Sequence, residues 1–202
     1  MHVLVAGATG KTGLRLVREL QTRGHQPIAL VRDGSDPAAL PEGATVRHGD
    51  LTDLDPDVCD GCDAVVFAAG SGGSTDDAMT ERVDRDGAIR LIDLARQAGV
   101  GRFVMLSSVG ADNPDPDGDL ATYLRAKHDA DEHLKVSGLS FAIVRPVALT
   151  DDDGTGKIRF GDDVDPGGQA SRDDVAAVLA EALTDSDWTG QTRTMETIPA
   201  TA

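Results

Sequence analysis

The stretch His2-Val3-Leu4-Val5-Ala6-Gly7-Ala8-Thr9-Gly10-Lys11-Thr12-Gly13-Leu14 decides the fold. A short apolar run stops at a glycine, and helical apolar spacing (Leu14, Leu16, Val17, Leu20) begins after the third glycine. That is a strand, a tight turn and a helix. Each glycine has its own task there. Gly7 permits the turn, Gly10 lets the backbone approach a pyrophosphate, and Gly13 lets helix and strand pack closely, while the helix N-terminus faces an anion. The loop Gly7, Ala8, Thr9, Gly10, Lys11, Thr12, Gly13 therefore reads as a dinucleotide-binding turn. A Walker-type loop fits less well, because the Gly10-Lys11-Thr12 triplet does not stand at the required separation from an earlier glycine.

Further apolar runs follow at 28–31, 64–69, 103–106 and 141–144, with weaker ones at 44–48 and 192–198. They alternate with helical patterns at 12–23, 78–98, 119–137 and 171–182, the last opened by a capping box from Ser171 to Asp174. Strands buried on both faces and separated by helices predict a doubly wound, Rossmann-like parallel α/β sheet. A chain of 202 residues and 21.0 kDa fits one NAD(P)-binding domain over 1–202. Residues 147–170, rich in Gly and Asp, read as a short excursion on the substrate side.

Arg32 follows the second strand, where its planar fork suits the 2′-phosphate of NADP. An acid there would favour NAD, and Asp33 keeps NAD open. Lys11 would add a second positive charge. The only tyrosine, Tyr123, stands four residues before Lys127 on a predicted helix, so both share a face. An ammonium beside a phenol favours the phenolate, which can then exchange a proton with a carbonyl or alcohol oxygen. Ser107 and Ser108 close the strand at 103–106 and offer a hydroxyl for that oxygen.

These residues resemble the short-chain dehydrogenase/reductase superfamily, in its compact atypical branch that includes proteins similar to flavin and biliverdin reductases. The resemblance spans most of the chain. It rests on Gly7–Gly13, Leu30-Val31-Arg32, Gly49-Asp50-Leu51-Thr52-Asp53, Ala68-Ala69-Gly70, Ser107-Ser108, Tyr123 with Lys127, and Arg145-Pro146. It implies that Asp50 and Leu51 contact the adenine, that Ala68, Ala69 and Gly70 line the cofactor groove, and that Pro146 and Val147 meet the nicotinamide carboxamide. By the same resemblance Ser108 holds the substrate oxygen, with Ser107 as second choice. Tyr123 is the acid/base, and Lys127 tunes it and holds the nicotinamide ribose. The flavin and biliverdin reductases lack the Tyr–Lys pair, so their substrates do not carry over. Only a short region follows Pro146, which disfavours large nucleotide-sugar substrates. Ser71-Gly72-Gly73-Ser74 and residues 148–168 are left to shape a small-molecule pocket. The expected function is an NADP-dependent oxidoreductase. An NAD-dependent epimerase or dehydratase, or a non-catalytic NADP(H) sensor, are the alternatives.

Composition closes off other classes. Thirty-five acids against 19 bases give a formal net charge of -16, which disfavours nucleic acid and anionic lipid surfaces. No apolar run reaches the roughly 18 residues of a membrane span. With no export signal at Met1 and only two cysteines, a reducing cytoplasmic setting is the expectation. Cys59 and Cys62 precede a strand, which argues for packing over redox work, and the histidine spacing does not suit a metal. Aspartate supplies 29 of the acids and lysine only 4 of the bases. This is the balance of a halophile's protein, since molar salt screens repulsion to about 3 Å. A thermal melt in rising KCl is expected to show a midpoint that increases toward molar salt; a falling midpoint would refute salt adaptation.

Overall fold

The computed structural model describes residues 1–70, 76–115 and 117–200. Its strands are β1 (His2–Ala6), β2 (Gln26–Val31), β3 (Thr45–His48), β4 (Ala64–Phe67), β5 (Arg102–Leu106), β6 (Phe141–Pro146), β7 (Ala148–Thr150), β8 (Ile158–Phe160), β9 (Gln169–Ser171) and β10 (Gln191–Thr197). The main sheet has eight strands in the order β3-β2-β1-β4-β5-β6-β10-β8. All its pairings are parallel except that of β8, which runs antiparallel along β10. Strand order reverses between β1 and β4, which opens a crevice at the carboxyl ends of the strands. The fold is the expected single-domain, Rossmann-like α/β architecture.

Side-chain alternation along β1 divides the core. Val3 and Val5 face one side, packed with Leu16, Val17 and Leu20 of α1 (Lys11–Thr22) and with Val175, Val178 and Leu179 of α5 (Arg172–Glu181). Leu4 and Ala6 face the other, against Leu91, Ile92 and Leu94 of α3 (Ala88–Gln97) and Ala130 and Leu134 of α4 (Ala121–Val136). Cys59 and Cys62 are buried on this second side, and burial pushes the Cys59 thiol up to about 12, as suits packing residues.

Three local expectations are corrected by the structure. The helix at 78–98 is not uniform: α2 (Asp77–Thr80) passes into a π-helical stretch, Glu81–Gly87, before α3 resumes. Residues 148–168 contain strands β7 and β8, and β7 pairs with β9 in a second, two-stranded sheet. The capping box is only half formed. The Ser171 hydroxyl accepts from the Asp173 amide, but Asp174 turns away to accept from the Thr155 and Gly156 amides and the Thr197 hydroxyl. Those three donors anchor the excursion to β10, a stronger demand than the cap. Ser71-Gly72-Gly73-Ser74 lies outside the described residues.

The β1–α1 turn is built on contact. Gly7 has φ +82°, and a Cβ there would stand 2.6 Å from the Ala69 backbone. A Cβ at Gly13 would fall on the Gly7 carbonyl oxygen, so only glycine lets α1 start this close to the loop. Gly13→Ala is expected to force α1 outward and lower stability by about 1–3 kcal/mol, read as a shifted denaturation midpoint.

Candidate functional site

A groove of about 320 Å³ occupies the switch point between β1 and β4. Its floor is Gly7, Thr9 and Gly10 on one side and Ala68, Ala69 and Gly70 on the other. Arg32 and Ser35 stand at the end of β2, Asp50 and Leu51 after β3, and Met79 and Val83 wall it from α2 and the π-helical stretch. Leu30 and Gly49 complete the lining. Leu30 and Gly49 stand in the motifs of the sequence without a role of their own, and Ser35, Met79 and Val83 stand outside them; the i, i+4 spacing of Met79 and Val83 is the available signal.

The groove fits a dinucleotide on structural grounds. Gly10 is the N-cap of α1 and provides no side-chain cap, so the first-turn amides are open to an anion. Arg32 is exposed and, among the described residues, its guanidinium has no hydrogen-bond or ion-pair partner. Asp33 pairs instead with His48 at 3.4 Å. Asp50 accepts from the amide and hydroxyl of Thr52, each at 2.8 Å. Those bonds, with the charges of Arg32 and Arg82, hold its carboxyl below the usual range. Lys11, by contrast, does not line the groove. Its ammonium pairs with Asp151, which also takes Arg172 at 3.0 Å. Thr12 is buried and Gly13 serves packing.

Past Ala69 the site becomes a buried charge cluster. Tyr123, Lys127 and Asp131 follow one another at four-residue spacing along α4. Lys127 is 2% exposed, with Nζ 3.0 Å from Asp84 Oδ1 and donating to the Ala69 and Leu106 carbonyls at 3.4 Å. Nζ also lies 5.7 Å from the centre of the half-buried Tyr123 ring. Burial opposes its charge, yet the fields of Tyr123, Asp84 and Asp131 outweigh burial and raise its pKa above the ordinary lysine value.

The two serines divide. Ser107 is buried and its hydroxyl donates to Asp131 Oδ2 at 2.7 Å, where Arg145 Nε and Nη2 also converge at 3.0 and 2.9 Å. Ser108 is half-buried, and among the described residues its hydroxyl makes only a local bond, to the Val109 carbonyl at 3.2 Å. Arg145 leads into Pro146, whose carbonyl accepts from Val109, while the Val147 side chain is buried in the core. His128 bonds the Ala111 carbonyl and His133 pairs with Asp93. Among the described residues no cluster suits a metal ion, and no helix is long and apolar enough to cross a membrane. A second cleft of about 210 Å³ lies between the π-helical stretch and the first turn of α4, but its Arg85 is already committed to Asp86 and Glu81.

Residues 7–186 match the NAD(P)H-binding family. An uncharacterized sugar epimerase of Bacillus subtilis is 40% identical over 185 residues, 89% of this chain and 86% of its own length. A solved structure from Bacillus halodurans, provisionally assigned as an NAD-dependent epimerase/dehydratase, aligns with a TM-score of 0.91 at 37% identity, covering 98% of this chain and 94% of that one. An oxidoreductase of Lactococcus lactis aligns with a TM-score of 0.85 at 28% identity, covering 98% and 91%.

Asp131 joins α4 to the ends of β5 and β6, and removing it leaves the buried Arg145 guanidinium only the more distant and exposed Asp112, 3.8 Å from Nη1. Asp131→Ala is expected to cost about 3–5 kcal/mol, measured by chemical denaturation; a loss below about 1 kcal/mol would mean that Arg145 finds another partner.

Proposed function

The chain belongs to the NAD(P)H-binding family, and from that premise we propose that it is an NADP-dependent oxidoreductase of the atypical short-chain dehydrogenase/reductase type, acting on a small carbonyl or alcohol. One observation carries the reading: the buried Lys127 ammonium touches the carbonyl of groove-lining Ala69 on one side and lies 5.7 Å from the Tyr123 ring on the other. Proton chemistry thus adjoins the dinucleotide groove. When bound, the dinucleotide supplies or accepts a hydride.

The chain's own residues do the rest. The backbone amides of Thr9, Lys11 and Thr12 hold the diphosphate, and Gly10, whose own amide is bound to the Gly7 carbonyl, lets the chain come close to it. Arg32 meets the ribose 2′-phosphate, which uses a guanidinium that has no other partner among the described residues. Asp50 and Leu51 flank the adenine, and Pro146 and Val147 border the nicotinamide end. Tyr123 gives or takes the proton at the substrate oxygen, and Ser108 donates to that oxygen. Ser108 is favoured over Ser107 because the Ser107 hydroxyl is committed to Asp131. Lys127 holds positive charge beside the phenol.

A second reading, an NAD-dependent epimerase or dehydratase using the same groups, is favoured by the name of the 40% identical relative. It differs in retaining its cofactor without net consumption.

Calorimetric titration separates these. NADPH is expected to bind more tightly than NADH, and Arg32→Ala to weaken NADPH about tenfold or more while leaving NADH unchanged. Equal binding of both cofactors, untouched by the substitution, would overturn the NADP assignment. In a carbonyl-substrate screen, Tyr123→Phe is expected to lower turnover about a hundredfold or more with cofactor affinity retained.

A further inference from the structure

We propose that Asp84 is the counter-ion that keeps Lys127 charged behind Ala69, beside the groove, and through it a positioning residue for Tyr123. The inference rests on reading Tyr123 and Lys127 as the acid/base pair. It starts from the π-helical stretch Glu81–Gly87, a conformation that is rare and often marks functional sites. Consecutive residues in that stretch do different jobs. Val83 walls the groove, whereas Asp84 is fully buried and reaches Lys127. At the end of the stretch Gly87 passes so close to Leu51 that a Cβ would stand 2.8 Å from its carbonyl oxygen. The segment that shapes the cofactor wall therefore also delivers the carboxylate to the lysine.

The electrostatics give that carboxylate its task. A lysine buried without an opposing charge tends to give up its proton near neutral pH. Among the described residues, the groups facing Lys127 are Asp84 from the π-helical stretch and Tyr123 and Asp131 from α4. The ends of β4 and β5 bring the carbonyls of Ala69 and Leu106 and the uncharged Phe67 ring, 5.6 Å from Nζ. Asp131 already receives Arg145 of β6 and the Ser107 hydroxyl on one oxygen. Asp84 is thus the carboxylate in direct contact with the ammonium. Without it the lysine is expected to become neutral in place, and a neutral amine gives the phenol beside it no support.

The only tyrosine in the chain makes this readable without substrate or cofactor. In cofactor-free protein, titration followed by tyrosinate absorbance reports Tyr123 alone. Asp84→Asn is expected to move the tyrosinate band to higher pH by about one pH unit or more, in the same direction as Lys127→Met. A band that stays in place, or moves to lower pH, overturns the proposal. Thermal midpoints provide a second readout. Asp84→Asn leaves a buried amine without its counter-ion, so adding Lys127→Met to it is expected to raise the midpoint; a further loss overturns the pairing. Should Asp84→Asn fail to fold, recovery of the fold in the double variant supports the proposal and its absence overturns it. Neither readout involves dinucleotide binding. A protein that binds neither NADPH nor NADH would defeat the proposed function while leaving the Asp84 result to stand or fall by itself.

Discussion

The molecule depends on one close contact, that of the first turn of α1 with the carbonyl of Gly7. Because Gly13 has no side chain, the helix begins directly on the loop that leaves β1. Its open amides therefore point into the crevice between β1 and β4. Because Gly7 has none either, the loop can lie against Ala69 at the end of β4, which narrows the crevice to the width of a backbone. Sheet order, groove and anion-binding helix end are consequences of these two approaches. Residues that line the groove from β2, β3 and β4 need only fall at strand ends to take part.

That dependence explains what could be read from the chain. Apolar runs that must be buried on both faces and glycines that must lack a side chain leave strong local marks, and both lie where the sequence places them. Arg32 was legible for the same reason, since a strand end fixes its position without knowledge of the rest, whereas Asp50 and Leu51, which also line the groove, were implied by the family resemblance. The π-helical stretch left no such mark. Its register is set by Leu51 on one side and Lys127 on the other, partners that are distant in sequence. Met79 and Val83 follow from that register.

The carboxylates of the chemical end were hidden for a different reason. Asp84 sits in the run Asp84-Arg85-Asp86, and Asp131 beside Asp129 and Glu132, so each looks like part of a solvated helix face. In a chain with 29 aspartates, two that are withdrawn from water do not stand out by composition. They are withdrawn because two cations are. Lys127 and Arg145 are both buried, and each is matched by a carboxylate from another element: Asp84 from the π-helical stretch, and Asp131 from α4. A neutral set of four charges is tolerable inside a protein where any one alone would not be.

The two margins of the sheet have a further implication for assembly. At one end lies β3, only four residues long, with Arg47 bonded to the Val58 carbonyl; at the other, β8 has three residues and reverses direction. Margins this short offer a neighbouring chain few free backbone groups to pair with. Growth of the sheet from one copy into the next is thereby discouraged, which guards a β-rich chain against edge-to-edge aggregation.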